Sequence, residues 1–135
     1  MGLLVLYEDN HLIAVKKEPG SIVQSDKTGD ETLAEQVKAY IKRKYKKPGD
    51  VFLGIVHRLD RPVGGVIVFA RTSKALTRMN ELFREKKISK TYWAIVEEKP
   101  PREDGQLVNW LKKNQEKNRS RAYDIEVKDS KKAEL

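Results

Sequence analysis

The chain has 135 residues, no cysteine and a formal net charge of +8. The length suits one domain of ordinary size, and the lack of cysteine excludes disulfides, cysteine-ligated metal sites and a thiol nucleophile. No apolar run approaches the roughly 18 residues of a membrane span. The N-terminus has no basic region or cleavage site typical of a secretory signal. We therefore expect a soluble, cytoplasmic protein without a membrane partner.

The first predicted elements are two short strands and a helix. Apolar residues at Leu3–Tyr7 and Leu12–Lys16 predict two strands around a turn at Glu8–Asn10. Thr32 and Glu35 have the spacing of a capping box, which predicts a helix start. The apolar residues that follow at helical intervals are Leu33, Val37, Tyr40 and Ile41.

The next elements are two buried strands, Val51–Val56 and Val66–Ala70, followed by a helix capped by Thr72 or Ser73. The expected inner face of this helix consists of Leu76, Met79, Leu82 and Phe83. The remaining predicted strands are Thr91–Val96, Leu107–Leu111, Arg121–Val127 and a last strand that begins near Lys131. Strands and two helices without regular βαβ alternation predict an α+β fold with a mixed, largely antiparallel sheet.

Basic residues fall in three stretches. One such stretch is most simply a solvated face, but three in so short a chain favour a nucleic-acid partner. No helix pairs a basic face with a Trp/Phe-rich apolar face, which argues against a membrane surface. The stretches are Lys38, Lys42, Arg43, Lys44, Lys46 and Lys47; Arg84, Lys86, Lys87 and Lys90; and Lys112, Lys113, Lys117, Arg119 and Arg121.

The segment His57-Arg58-Leu59-Asp60-Arg61 stands between two predicted buried strands. Loops held by a rigid scaffold are frequent positions for site residues. The neighbouring arginines favour an ionised Asp60, which could act as a nucleophile or a general base. The structural alternative is a turn-forming aspartate with surface ion pairs. Spacing alone does not decide between the two.

The segment HRLDRPVGGVIVFARTSKA resembles the signature of the RluA-type RNA pseudouridine synthases, in which H-R-L-D precedes a small-residue pair and an apolar strand. LYEDNHLIAVKKEPG is similar to the opening hairpin of that family, and KISKTYWAIVEEKPP is similar to its K-x-Y strand. The resemblance covers most of residues 3–101. It implies part of the pseudouridine synthase catalytic fold and an RNA partner, either rRNA or tRNA.

The resemblance also implies roles for individual residues. Asp60 corresponds to the catalytic aspartate that attacks the target uridine. Tyr92 corresponds to a catalytic tyrosine that lies against the extruded base and assists loss of the C5 proton. Arg58 corresponds to an arginine that fills the gap left by the base, with a phosphate contact or an ion pair as the alternative. His57 is expected to shape the loop by local hydrogen bonds, and we group it with Arg58 and Arg61 as RNA-binding. The isomerisation needs no cofactor and no metal.

The chain departs from the family pattern in three places. Val63-Gly64-Gly65 replaces Thr-Ser-Gly, and in Lys17-Glu18-Pro19-Gly20 the proline is shifted by one, so no role is assigned to Lys17. A later arginine motif that pairs with the aspartate is absent. We therefore expect residues 1–135 to be a catalytic domain that lacks its C-terminal part.

Two other functions stay open. One is a noncatalytic RNA-binding fragment or degenerate relative that keeps the basic surface. The other is a metal-independent ribonuclease that uses His11 and His57 as acid and base. The sequence does not predict an oligomeric state.

Overall fold

A computed structural model describes residues 2–135 and confirms an α+β fold with two helices and antiparallel sheets. The chain divides into two compact units, one ending at Thr91 and one running from Tyr92 to Leu135. No helix in the described part of the chain is long and apolar enough to cross a membrane. The elements are β1 (Val5–Glu8), β2 (Leu12–Lys17), α1 (Leu33–Lys44), β3 (Gly54–Ile55), β4 (Gly65–Ala70), α2 (Ser73–Arg84), β5 (Val108–Asn114), β6 (Arg119–Tyr123) and β7 (Lys131–Glu134).

The first unit contains a four-stranded sheet in the order β1-β2-β4-β3, in which all neighbours are antiparallel. In the central pair, Ile13 lies opposite Phe69 and Val15 lies opposite Ile67. All four of these side chains are fully buried, because alternate residues of a strand point to the same face. They form the core together with apolar residues of α1.

Helix α1 covers this face of the sheet. Its N-terminus has the predicted capping box: the Thr32 hydroxyl accepts the Glu35 N–H, and the Glu35 carboxylate accepts the Thr32 N–H. These bonds satisfy two backbone donors that the first turn otherwise leaves unpaired. The buried residues of the helix are Leu33, Ala34, Val37 and Ile41.

Helix α2 packs on the opposite face, and its N-cap is Thr72. Gly54 is paired with Ala70, on the face away from Phe69, and a Cβ at Gly54 would lie 2.9–3.0 Å from Leu76 atoms. The absence of a side chain at Gly54 therefore lets the helix approach the sheet. Of the predicted inner face, Leu82 is 37% exposed.

A cluster around Glu8 joins the first hairpin to α1 and to the end of β4. The Glu8 carboxylate accepts hydrogen bonds from Tyr40 (3.0 Å), Lys44 (2.7 Å) and Tyr45 (2.7 Å). Arg71 forms an ion pair with it at 3.2 Å. Burial opposes ionisation, but the three donors and the Lys44 charge outweigh it and lower the pKa of Glu8.

The second unit contains a three-stranded antiparallel sheet in the order β6-β5-β7. The sequence located these strands approximately. Strand β5 continues past the predicted end at Leu111, and β6 begins two residues earlier than expected and ends at Tyr123 instead of Val127.

Two strand predictions need correction. The apolar run Val51–Val56 contains only a two-residue strand, because only Gly54 and Ile55 pair with β4. Thr91–Val96 is not a strand in the structure, since its backbone finds no ladder partner among residues 2–135. Trp93 and Ile95 are fully exposed there. Its alternating pattern is that of a strand, but strand formation also requires a neighbouring strand.

Candidate active site

Asp60 lies in the loop that connects β3 to β4, between the two strands that the sequence indicates. The loop turns sharply at this point, because the N–H of Val63 donates to the Asp60 carbonyl at 3.0 Å. The Asp60 side chain is exposed. In the described part of the chain its carboxylate accepts no hydrogen bond and joins no ion pair. The carboxylate is thus free to meet a ligand.

Asp60 lines an open groove with a volume of about 680 Å³. The groove brings the whole predicted motif together with the segment that follows the first hairpin. Its walls combine apolar, carboxylate and guanidinium groups, as expected for a site that takes a polar ligand. The lining residues are Ile22, Val23, Gln24, Ser25, Asp26, Val56, His57, Arg58, Leu59, Asp60 and Arg61.

Lys17 anchors the Asp60 loop. Its side chain is fully buried, and its Nζ donates to the carbonyl oxygens of Asp60 (3.1 Å), Arg61 (3.1 Å) and Val63 (2.7 Å). A fourth contact, to the Glu18 carbonyl, is 3.4 Å long. Burial lowers the pKa of Lys17, while the nearby Asp60 carboxylate acts in the opposite direction. One ammonium group therefore fixes the backbone of Asp60 and of the residues that follow it.

Sequence reasoning assigned no role to Lys17, yet the pattern of β2 contained a signal. Ile13 and Val15 are buried at alternate positions, and Lys17 is the next residue on the same face. A lysine at a core position needs several acceptors for its ammonium group. Three carbonyls of a distant loop supply them, and that pairing cannot be read from the local sequence.

Arg61 also holds the loop in place. Its Nε donates to the Gly20 carbonyl at 2.9 Å, and the Gly20 N–H donates to the Arg61 carbonyl at 2.7 Å. The guanidinium forms an ion pair with Asp30. Arg61 is exposed and lines the groove. RNA binding by Arg61 remains a prediction, and in the structure its donors join the 60–63 turn to the 20–30 segment.

His57 is tied to the sheet and to α2. Its Nε2 accepts the backbone N–H of Val68 at 3.0 Å, and its ring stacks on Phe83 with centroids 5.2 Å apart. Burial, with a smaller effect from the Lys90 ammonium, lowers the pKa of His57. The ring is therefore neutral at pH 7 and holds the start of the loop against β4 through a local hydrogen bond.

The other two predicted site residues lie in different units. Arg58 is exposed and lines the groove beside Asp60. Tyr92 is the first residue of the second unit and is 56% exposed. Its role stays a prediction from the sequence resemblance.

The small-residue pair after the Asp60 loop packs closely against the first hairpin. A Cβ at Gly64 would lie 3.0 Å from Pro19 Cδ and 3.3 Å from the Lys17 carbonyl oxygen. Gly65 has a φ of +152°, and a Cβ there would approach Leu59 to 3.2 Å. Gly64 thus allows the turn that carries Pro19 to lie against the loop, and Gly65 leaves room for Leu59.

The two histidines line different grooves. His11 lies beside α2, in a groove that includes Lys74, Arg78 and Met79, whereas His57 lines the Asp60 groove. An acid–base pair for RNA cleavage needs both rings at one phosphate. The structure therefore gives no support to the ribonuclease alternative. Within residues 2–135, no group of three or more His, Asp or Glu side chains is placed to hold a metal ion.

Comparison with known proteins gives the same assignment as the motif. The sequence profile of the family described as RNA pseudouridylate synthase matches residues 11–135. The chain belongs to this family. A ribosomal large subunit pseudouridine synthase C from Buchnera aphidicola (subsp. Acyrthosiphon pisum) is 35% identical over 124 residues, which is 92% of this chain and 38% of that protein. These matches confirm the resemblance to the RluA-type enzymes.

Other relatives extend the comparison. The Escherichia coli K12 protein of the same name is 34% identical over 93 residues, which cover 69% of this chain and 27% of that protein. The structure of human RNA pseudouridylate synthase domain containing 4 superposes with a TM-score of 0.77 at 21% identity, over 97% of this chain and 51% of that one. That likeness supports the fold. The chain spans well under half the length of the two curated relatives.

Proposed function

We propose that the protein isomerises uridine to pseudouridine in structured RNA, with Asp60 as the nucleophile. The observation that carries the proposal is the position of Asp60: an unpaired carboxylate at an open groove, on a loop whose backbone is fixed by Lys17. Membership of the pseudouridylate synthase family supports the same reaction. Fixing the backbone of a nucleophile and of the residues after it limits the motion that would misalign its attack.

The proposed reaction exchanges one bond of the uridine for another. The Asp60 carboxylate attacks either the ribose C1′ or the base, the N1–C1′ bond breaks, and the uracil turns. C5 then bonds to C1′ and the carboxylate is released. The C5 proton is lost to solvent, and N1 takes up a proton in its place. Because one glycosidic bond replaces another and no electrons are gained or lost, the reaction requires neither a cofactor nor an energy source.

The substrate is proposed to be ribosomal RNA, because the relatives are named ribosomal large subunit pseudouridine synthases. Transfer RNA is the second substrate to test, and we propose a cytoplasmic location for the protein. The target base must leave its stack to reach Asp60, at a cost of a few kcal/mol. We propose that Arg58 fills the gap that the base leaves in the RNA. Tyr92 is proposed to lie against the face of the extruded base. His57 and Arg61 complete the RNA-contacting loop.

The proposal is tested by measuring release of tritium from RNA labelled at uridine C5. Asp60→Asn keeps the shape of the side chain but removes the nucleophilic charge. We expect this variant to lose at least about 10³-fold in rate, because the covalent step has no substitute. RNA affinity, measured in parallel by anisotropy, is expected to stay within a few-fold of the unaltered protein.

Asp50→Asn is the matched control, since Asp50 is an exposed aspartate that does not line the groove. It should release tritium at the unaltered rate. Equal rates for the Asp60 and Asp50 variants would exclude Asp60 as the nucleophile. Tight RNA binding with no tritium release from the unaltered protein would instead favour the noncatalytic RNA-binding alternative.

A further inference from the structure

The hairpin formed by β5 and β6 has one face that is rich in cations. The register pairs Trp110 with Tyr123, Lys112 with Arg121, and Asn114 with Arg119. Partners in an antiparallel ladder, and alternate residues along each strand, share a face. We call these six residues the hairpin face. It bears three cations and two aromatic rings.

The charges on the hairpin face are not neutralised within the protein. Lys112 and Arg121 lie directly opposite each other, an arrangement that disfavours strand pairing. In the part of the chain that the structure describes, Lys112, Arg119 and Arg121 form no ion pair. A sheet that keeps like charges side by side is suited to an anionic partner that neutralises them.

The hairpin also provides a concave surface and an aromatic platform. A groove of about 690 Å³ lies along it, lined by both strands and by the turn that joins them. Lys113 and Lys117 also line this groove and are two further exposed cations. Glu116, in the turn, is the acidic residue of the lining. The Arg121 guanidinium lies 5.3 Å from the centre of the Tyr123 ring. Cations spaced along a groove, with an aromatic ring among them, are suited to a phosphate backbone and a stacked base.

We infer that the hairpin face binds a strand of the substrate RNA, at a surface separate in the chain from the Asp60 loop. The inference rests on the proposed function for the identity of the polyanion, since a family that acts on RNA supplies that partner. The interaction is mainly with phosphates, so it contributes affinity and orientation without reading the base sequence.

The test is the salt dependence of binding to a fluorescein-labelled RNA stem-loop with a uridine-rich loop. In the full chain, Lys112→Gln, Arg119→Gln and Arg121→Gln are combined as the hairpin variant. Each phosphate that the protein no longer neutralises should reduce the slope of log K against log salt by about 0.7, so the plot should become shallower by about 2. Binding at low salt should weaken by at least about tenfold.

A matched control removes the same charge outside the three basic stretches. Lys74→Gln, Arg78→Gln and Lys99→Gln also delete three exposed cations, and this control variant should lose less than about threefold in affinity. Arg119→Lys with Arg121→Lys keeps the charge and should keep the salt slope. Circular dichroism shows whether each variant is folded. If the hairpin variant does not fold, Arg119→Gln alone is the test, and the slope should become shallower by about 0.7.

The outcomes separate this inference from the proposed function. A hairpin variant that binds RNA as tightly as the control variant would overturn the inference, whatever the activity of Asp60. Loss of binding in the hairpin variant alone would support it, even if the unaltered protein releases no tritium. The Asp60→Asn protein should bind RNA normally. The RNA affinities of the hairpin variant and of its control can therefore also be compared with Asp60→Asn present in both.

Discussion

At the scale of single residues, Lys17 is the buried polar group on which the Asp60 loop depends. Hydrogen bonds from a charged donor contribute about 1.5–3 kcal/mol each, and they offset the cost of taking the ammonium out of water. Removing the donor would take one hydrogen bond from each of the carbonyls of Asp60, Arg61 and Val63. The first two would keep only a backbone N–H as donor. The loop would then lose both stability and its fixed geometry.

We expect Lys17→Met, which keeps the length and most of the volume, to lower the free energy of unfolding by about 2–4 kcal/mol. Urea denaturation measures the loss, and amide chemical shifts of residues 60–63 show whether the loop moves. Lys16→Met is the control, because Lys16 is half-exposed and pairs with Glu18 at the surface. Equal destabilisation by both changes would show that the carbonyl contacts do not stabilise the loop.

At the scale of elements, the approach of α2 to the sheet depends on Gly54. A methyl group there would meet Cβ of Leu76 at 3.0 Å as well as both δ-carbons at 2.9 Å. The δ-carbons can rotate away, but Cβ moves only with the helix. Helix α2 therefore packs this close to β3 because Gly54 has no side chain.

We expect Gly54→Ala to destabilise the protein by about 1–3 kcal/mol, because α2 must shift outward. The shift should also loosen the stacking of Phe83, which lies on the same helix, against His57. Thermal denaturation measures the first effect, and the His57 ring proton shifts measure the second. Gly105→Ala has open space around its Cβ and should change stability by less than about 0.5 kcal/mol. A neutral Gly54→Ala would show that the helix adjusts freely.

The elements with the clearest local signals were predicted well from the sequence. Thr32 with Glu35, and Thr72, have side chains that bond to the backbone within one turn, so both helix starts were visible. The strand predicted at Thr91–Val96 was wrong, and that at Val51–Val56 was too long, because pairing depends on a neighbouring strand that local pattern does not reveal. The position of Asp60 after a buried strand was predictable, whereas its anchor, 43 residues away, was not.

At the scale of the first unit as a whole, Glu8 connects three elements that are far apart in sequence. Its carboxylate gathers donors from α1, from the residue after α1 and from the end of β4. These contacts also raise the pKa of Lys44, mainly through its bond to Glu8. The cluster thus joins β1, an edge strand of the sheet, to α1 and to the residue that follows β4.

Glu8 predicts a specific pH dependence of stability. Its folded-state pKa lies below the ordinary value of 4.5, so its stabilisation is complete above about pH 4.5 and is lost as the pH falls through the folded-state pKa. We expect Glu8→Gln to cost about 1–3 kcal/mol at pH 7 and much less at pH 3. Urea denaturation at both pH values measures the difference.

Glu98→Gln serves as the reference for this measurement, because Glu98 is exposed. Its cost should be near zero at both pH values. A cost of Glu8→Gln that stays constant between pH 7 and pH 3 would show that the ionised carboxylate is not what holds the cluster together.

The Lys17 ammonium contacts both the turn that follows β2 and the Asp60 loop, and these contacts limit how the lengths of the two segments can vary. Gly20 and Arg61 also exchange hydrogen bonds. The turn that follows β2 and the Asp60 loop are therefore expected to move together. An insertion or deletion in one of these two segments would displace the other. We therefore expect a change in the length of one to be accompanied by a change in the length of the other. The Asp60 loop is thus expected to evolve in step with the first hairpin.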